Sequence, residues 1–412
     1  MSGYYLIGEH LGHSFSPEIH RAFGRTDYGL KELTPAELGP FLKARAFLGL
    51  NVTVPYKQAV IPYLDSLDDR AAAIGAVNTV VNRNGALRGY NTDYGALLQA
   101  LQRLMGGTLS GKTVLILGTG GTSKTAEAVC QALGAARIRR VSRTGREEAL
   151  TYAEALSDWK AADLLLNTTP VGMYPDTEGL PIAPAAFPNL SGVFDCVYNP
   201  LRTRLVLEAE RLGIPAAGGL EMLVRQAALA GGLFTGFPPV EAQIQAVCGG
   251  LRAQRESLVL IGMPGAGKTS LGRLLAKQTG REFADLDELL SRRAGMSIPE
   301  IFARLGETWF RNLETDLVRE LSRTGGKILA CGGGTVLRPE NVLRLKQNGS
   351  LIFLDRPLED LRPAPDRPLS DTQEKLRALY ETRRPIYLSA ADRTVPVTGT
   401  PAETAATILG NT

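Results

Sequence analysis

Histidine is almost missing from this chain. Of 412 residues only His10, His13 and His20 are histidine, and all three lie near the start. Cysteine is nearly as scarce. Cys130, Cys196, Cys248 and Cys331 are scattered, with no Cys-x-x-Cys pair among them. Such spacing supports neither a zinc site nor a disulfide framework, so reduced thiols are expected. No apolar run reaches membrane-spanning length, and the N-terminus lacks the basic-then-apolar pattern of a secretory signal. A cytoplasmic protein with no membrane partner is the expectation. The net charge of +4 is small and spread out, which provides no basic stripe for nucleic acid. Internal repeats and low-complexity segments are absent too.

What is present is an ordinary globular composition, 44% apolar and 21% charged, over a length that suggests two or three domains. Strand-like runs alternate with helical spacing throughout, which argues for an α/β chain with parallel layers. Tyr4 to Gly8 reads as a strand and Pro17 to Phe23 as a helix, with Ser16 as N-cap and Pro17 first in the helix. Leu48 to Val54 is a second strand. Ala76 to Asn82 and Leu87 to Tyr90 form a hairpin around Asn84-Gly85. Asp93 is able to cap the helix that runs to Leu104. Further strands are Thr113 to Leu117, Ala136 to Val141, Leu164 to Asn167 and Gly192 to Asp195. Glu241 to Arg255 is helical or linking, with Gly249-Gly250 as a break, and a boundary falls near Gln254 to Ser257.

Two glycine-rich loops carry chemistry. Leu258 to Ile261 is a short apolar strand leading into Gly262-x-x-x-x-Gly267-Lys268-Thr269, followed by helical spacing. That is the context of a P-loop. Gly265, Ala266 and Gly267 let backbone N–H groups close around phosphate oxygens. Lys268 supplies a point charge, and Thr269 offers a hydroxyl to Mg²⁺. The second loop, Gly118-Thr119-Gly120-Gly121-Thr122-Ser123, follows the strand ending at Leu117. Its third small position is Ser123 instead of Gly or Ala, so helix–strand packing there is expected to differ. The next strand ends in Ser142-Arg143-Thr144, where an NAD site would want an acidic residue. Arginine pairs with phosphate, which points to NADP(H), the alternative being a surface turn with an exposed Arg.

Upstream, the order of motifs is informative. His13-Ser-Phe-Ser-Pro17, Asn51-Val-Thr-Val-Pro-Tyr-Lys57, Gly75-Ala-Val-Asn-Thr79 and Gly89-Tyr-Asn-Thr-Asp93 are followed by Asn167 to Met173, Asp195 to Pro200 and Glu221 to Gln226. Over residues 3 to 245 this set resembles shikimate dehydrogenase. The resemblance implies two lobes: 1–101 with returning residues 220–248 binding substrate, and a Rossmann lobe, 102–219, binding NADP. Lys57 and Asp93 are similar to the family's catalytic pair. Ser14 and Ser16 resemble its carboxylate anchors. Thr53, Asn78, Asn91, Asp93, Gln226 and Tyr198 resemble its binders of ring hydroxyls. Gly118, Gly120, Gly121, Thr122, Ser123, Ser142, Arg143, Thr144 and Gly219 resemble its NADP contacts. Hydride would pass from C4 of NADPH to the C3 carbonyl of 3-dehydroshikimate, and a lysine in a cleft can protonate the alkoxide. Two positions depart from the family: Arg21 follows His20 where Asn is usual, and Ser142 stands where Asn is common.

The later half has no histidine, so a proton acceptor there must be Asp, Glu or solvent. An early Asp285-Leu-Asp287 is followed by Gly306-Glu-Thr-Trp-Phe-Arg311-Asn-Leu-Glu314, by Gly332-Gly333-Gly334, and by Arg383-Arg384-Pro385. With the P-loop, Leu258 to Ala391 resembles shikimate kinase. This implies a P-loop kinase domain over 257–412 with a parallel sheet and a lid, joined by a linker at 249–256. Thr269 would ligate Mg²⁺ with Asp285 as outer-shell support. Asp287 would bind the substrate 3-hydroxyl and take its proton. Arg311 and Arg383 would clamp the carboxylate, and Gly333 and its neighbours would admit the ring. Arg367 would cover the ATP phosphates from the lid.

The motifs therefore imply a bifunctional enzyme of small-molecule substrates, 3-dehydroshikimate and shikimate, and leave its oligomeric state unassigned. The alternatives are a quinate-preferring dehydrogenase joined to another small-metabolite kinase, or a catalytically silent half acting as scaffold or sensor. The lid run Arg362 to Arg367 is short and proline-rich. Arg367→Ala is expected to lower kcat for phosphorylation far more than Arg362→Ala; equal losses in steady-state assays would reject that ranking.

Overall fold

The computed structural model describes residues 3–12, 14–145, 148–363 and 371–410. Arg367 and His13 lie outside them. The chain divides into two compact units, Met1–Gly250 and Leu251–Thr412.

The first unit holds two six-stranded sheets. β1 (Tyr4–Gly8), β2 (Tyr28–Glu32), β3 (Gly49–Val52), β4 (Ser66–Leu67), β5 (Thr79–Arg83) and β6 (Ala86–Tyr90) form a mixed sheet in the order β2-β1-β3-β5-β6-β4. β3, β5 and β6 run antiparallel in turn. Asn84 and Gly85 both take positive φ between β5 and β6, as a two-residue hairpin requires. β7 (Thr113–Leu117), β8 (Arg137–Ser142), β9 (Leu150–Thr151), β10 (Leu164–Asn167), β11 (Gly192–Asp195) and β12 (Ala216–Ala217) form the second sheet. Its order is β12-β11-β10-β7-β8-β9, and every pair is parallel. Strand order reverses between β7 and β10, the switch point where a doubly wound sheet opens a ligand crevice. Both faces of this sheet are covered. Val114, Ile116, Leu164 and Leu166 pack into one core, and Leu115, Leu117, Leu165 and Val193 into another. Continuous apolar strands such as Val114 to Leu117 follow from that.

The helix Thr92–Met105 carries the chain from the first sheet to the second, and Leu220–Thr235 carries it back. On its return Phe234 packs with Leu6, Tyr28 and Val81 of the first sheet. In the second unit, β13 (Ser257–Ile261), β14 (Phe283–Asp285), β15 (Ile328–Ala330), β16 (Gly349–Asp355) and β17 (Arg393–Pro396) form a parallel sheet in the order β14-β15-β13-β16-β17. β13, which feeds the P-loop, is its central strand. No disulfide joins the four cysteines. Among the described residues no helix is long and apolar enough to cross a membrane.

Three local expectations need correction. Ser16 is not an N-cap: the helix spans Ser16–Ala22 with Phe15 before it and no side-chain cap. Ser14 Oγ instead accepts the Ser16 N–H at 3.2 Å and donates to Ser16 Oγ at 3.1 Å, so the two hydroxyls satisfy each other. Asp93 is not the cap of its helix either. Asn91 is, accepting the Tyr94 N–H at 3.1 Å, which moves Asp93 into the first turn. Nor do Gly249 and Gly250 break the helix Glu241–Arg255. Ile244, Cys248 and Leu251 are all buried at i, i+4, i+7 spacing. That burial offsets the roughly 1 kcal/mol each glycine costs in a helix.

His20 shows how tightly the first lobe excludes protons. Its ring stacks on Tyr28 with centroids 3.8 Å apart and is 1% exposed. Burial first, then the nearby Arg25 charge, pull its pKa from 6.5 to about 4 despite a hydrogen bond with Asn51. A depressed histidine stabilises the fold above its unfolded pKa, and that contribution is lost as pH falls through the folded one. Urea titrations between pH 6.5 and 4 should show a loss of roughly 3 kcal/mol from this group. His20→Phe, which keeps the stack, should flatten the slope; an unchanged slope would assign it elsewhere.

Candidate active sites

In the first unit Lys57 lies just past β3, on a loop whose Thr53 N–H is held by Ile7 O at 3.0 Å. Asn91, by capping its helix, sets Asp93 in the first turn, where the helix dipole favours a carboxylate. Lys57 Nζ donates to Asp93 Oδ2 at 2.6 Å, with side chains only 13% and 7% exposed. So little exposure makes this a desolvated pair, unlike a surface ion pair. The same ammonium donates to Thr122 Oγ1 at 3.2 Å, in the nucleotide loop of the second sheet.

The other expected polar residues fall into two hydrogen-bonded groups. Asn78 Oδ1 accepts the Thr92 N–H at 2.7 Å, while its amide donates to Thr92 Oγ1 at 2.9 Å and to Gln226 Oε1 at 3.4 Å. Asn91 directs its amide to Ala76 O and Thr125 Oγ1 at 2.9 and 3.0 Å, tying the two sheets together. Ser14, Ser16 and Tyr198 form the other group. Burial raises the Tyr198 hydroxyl, a hydrogen bond with Ser14 lowers it, and the ring meets Phe15 edge-on.

The nucleotide loop is shaped by the space that side chains do not fill. Gly118 has φ of +116°, and a Cβ there would sit 2.6 Å from Thr168 Oγ1. Gly120 precedes the helix Gly121–Ala132, whose first N–H groups have no intrahelical partner and face an anion readily. Ser123 is turned inward and fully buried. Its hydroxyl donates to Gly120 O at 2.7 Å, which is how a serine fits where a smaller residue is usual. Arg143 and Thr144 are exposed at the end of β8. Ser142 Oγ is buried and has no hydrogen-bond partner among the described residues. A phosphate oxygen would supply one, so these residues fit a 2′-phosphate. Gly219 backs directly onto the Asp195–Tyr198 turn: a Cβ would lie 2.2 Å from Cys196 O.

In the second unit three loop glycines take positive φ: Gly262 at +144°, Gly265 at +81° and Gly267 at +94°. Lys268 Nζ donates to Gly262 O and Met263 O, both at 2.9 Å. Thr269 Oγ1 donates to Asp285 Oδ2 at 2.6 Å. That bond takes the hydroxyl proton and leaves oxygen lone pairs for a cation, so the pair fits Mg²⁺ held mainly by phosphates and water. Beside the loop opens a cleft of about 930 Å³ lined by Asp287, Arg311, Arg383 and Gly332 to Gly334. Arg311 is held by Glu307 at 3.2 Å and by Glu314 at 2.9 Å. Arg383 donates to Gly333 O at 3.0 Å, and Tyr387 donates to the same carbonyl.

Several supporting residues carried no role in the sequence reading. Glu314 is fully buried, accepting from Arg311 and, at 2.7 Å, from Thr335 Oγ1. Its i, i+3 spacing from Arg311 was the available signal. Asp195 is buried at the end of β11, accepting from Thr203, Asn167 and the Val197 N–H, and burial lifts its pKa to about 6. The sequence reading places Asp195 at the end of an apolar strand and at the start of a family motif, with no role for its side chain.

The glycine run also serves a neighbouring side chain. At Gly334 a Cβ would lie 2.3–2.5 Å from the Arg311 guanidinium. Its missing side chain makes room for Arg311 itself. Under the carboxylate clamp that the resemblance implies for Arg311, Gly334→Ala should raise the shikimate KM for phosphorylation by about tenfold or more, because the guanidinium is displaced. The thermal midpoint should barely move; an unchanged KM would dissociate Gly334 from the clamp.

Comparison with known proteins finds relatives for both units. Residues 6–80 match the model of the shikimate dehydrogenase substrate binding domain, and residues 264–411 that of shikimate kinase. Shikimate dehydrogenase (NADP(+)) of Moorella thermoacetica is 40% identical over 258 residues, covering 56% of this chain and 87% of that protein. Among solved structures, the shikimate 5-dehydrogenase of Thermus thermophilus in complex with NADP(H) and shikimate aligns at 32% identity and a TM-score of 0.53, over 60% of this chain and 98% of that one. A chorismate mutase/shikimate 5-dehydrogenase fusion from Clostridium acetobutylicum aligns at 30% identity and 0.57, over 61% and 97%. The chain thus belongs to the shikimate dehydrogenase family and carries a shikimate kinase domain behind it, as a fusion of the two.

Proposed function

We propose that this polypeptide carries out two successive steps on one cyclic acid: NADPH-dependent reduction of 3-dehydroshikimate to shikimate, then ATP-dependent phosphorylation of the shikimate 3-hydroxyl. The observation that carries the first step is the buried Lys57–Asp93 pair at 2.6 Å, set against the nucleotide loop. Bound NADPH supplies hydride, and bound ATP with Mg²⁺ supplies the phosphoryl group. Lys57, as an ammonium, donates its proton to the alkoxide oxygen formed at C3, while Asp93 keeps the charge in place. The reverse reaction uses the same groups in the opposite sense. Ser14 and Ser16 receive the substrate carboxylate, and Thr53, Asn78, Asn91, Gln226 and Tyr198 the ring hydroxyls.

In the kinase unit, Asp287 accepts the proton of the 3-hydroxyl. Arg311 and Arg383 hold the carboxylate at the other end of the ring, so the hydroxyl is aimed at the P-loop. Lys268 and the loop N–H groups neutralise developing charge on the transferred group. Little covalent participation is needed, because phosphoryl transfer rests on positioning and charge. A cytoplasmic location belongs to this reading. The quinate-preferring alternative is not favoured, since relatives such as those of Moorella thermoacetica and Geobacillus kaustophilus carry the shikimate name.

A single incubation with 3-dehydroshikimate, NADPH and Mg·ATP should yield shikimate 3-phosphate. Lys57→Ala should abolish NADPH oxidation and leave phosphorylation of added shikimate intact. Survival of both activities would refute the assignment of Lys57, and absence of both in the wild type would refute the function.

A further inference from the structure

The Lys57 ammonium has three N–H bonds to place. One points to Asp93 Oδ2 at 2.6 Å and one to Thr122 Oγ1 at 3.2 Å. Asp93 belongs to the substrate lobe, as Lys57 does. Thr122 does not: it is the second residue of the helix Gly121–Ala132, on the loop that fits the cofactor. Gly121 makes the contact possible, since even a Cβ there would press to 3.0 Å on Lys57 Cβ. The seam continues along the same helix, with Lys124 Nζ donating to Gln58 Oε1 at 3.1 Å and Asn91 donating to Thr125 Oγ1 at 3.0 Å.

From this geometry we infer that Thr122 is a positioning residue: its hydroxyl registers the proton donor Lys57 against the lobe that holds the hydride donor. The inference rests on the function proposed above. Proton and hydride must reach the oxygen and carbon of one carbonyl, yet their donors are mounted on different sheets. A misplacement of about 1 Å is enough to cost on the order of 100-fold in rate. Asp93 balances the charge of Lys57 but leaves the ammonium free to swing about that single contact. The Thr122 oxygen is the second anchor, and with two N–H groups fixed the third is the one left for the substrate oxygen. The resemblance places Thr122 among the NADP contacts, whereas here its oxygen accepts from Lys57; a positioning role predicts a larger effect on turnover than on nucleotide affinity.

The test compares Thr122→Val, which keeps the shape and removes the acceptor, with Thr122→Ser, which keeps the acceptor, in the full chain. Shikimate oxidation by NADP⁺ is measured alongside NADPH affinity by fluorescence titration, and the kinase activity of the same preparations reports folding. Thr122→Val should lower kcat by about tenfold with the NADPH Kd within about twofold of wild type, and Thr122→Ser should recover most of kcat. An unchanged kcat in Thr122→Val overturns the inference. So does a rise in NADPH Kd that accounts for the whole loss, which would make Thr122 a cofactor ligand only. A wild type that binds NADPH without turning over shikimate overturns the proposed function, and this inference with it.

Discussion

A buried parallel strand must hand the chain to a helix across a turn with no room for side chains, and both units are arranged around that constraint. At Gly118 a Cβ would strike Thr168, and at Gly262 it would come within 2.9 Å of Leu354 O. The backbone therefore turns hard, and each loop opens onto a helix N-terminus, where the helix itself supplies the first N–H groups with no acceptor. Anions bind where such groups converge. The crevice position follows from topology, because each loop leaves a strand at the point where strand order reverses. The rest of each site is assembled within reach of that loop.

The two units solve the handling of charge in different ways. The dehydrogenase unit pairs one ammonium with one carboxylate in a nearly dry setting, as the proposed proton transfer requires. The kinase unit holds its guanidinium groups against exposed Glu307 and buried Glu314 on Arg311, and against the Gly333 carbonyl on Arg383. Arginine suits that task because its planar fork matches a carboxylate and stays charged. Glu314, with no exposure at all, is tolerated because Arg311 and Thr335 satisfy it.

Local reading succeeded where physics is local. The hairpin at Asn84-Gly85, the apolar strands Thr113–Leu117, Leu164–Asn167 and Gly192–Asp195, and both glycine loops follow from turn chemistry and burial pattern. It failed where a side chain had a choice of partner. Ser16, Asn91 and Asp93 are all competent caps, and which one acts depends on whether another group reaches it first. Ser14 took the partnership of Ser16, and Asn91 took the helix end, which released Asp93 to meet Lys57.

The order of motifs along the chain determined by itself the two-enzyme organisation, the identity of the nucleotide loops and the residue types available for proton transfer. Tertiary structure alone decided which groups touch. Lys57 and Thr122 are 65 positions apart in sequence, and only the packing of one lobe's helix against the other's loop brings them to 3.2 Å. The same holds for Gly334, whose role as space for Arg311 depends on a helix and a strand end meeting. Periodicity and spacing encode what each segment buries, whereas a hydrogen bond between distant side chains depends on the relative placement of whole elements, which no local pattern specifies.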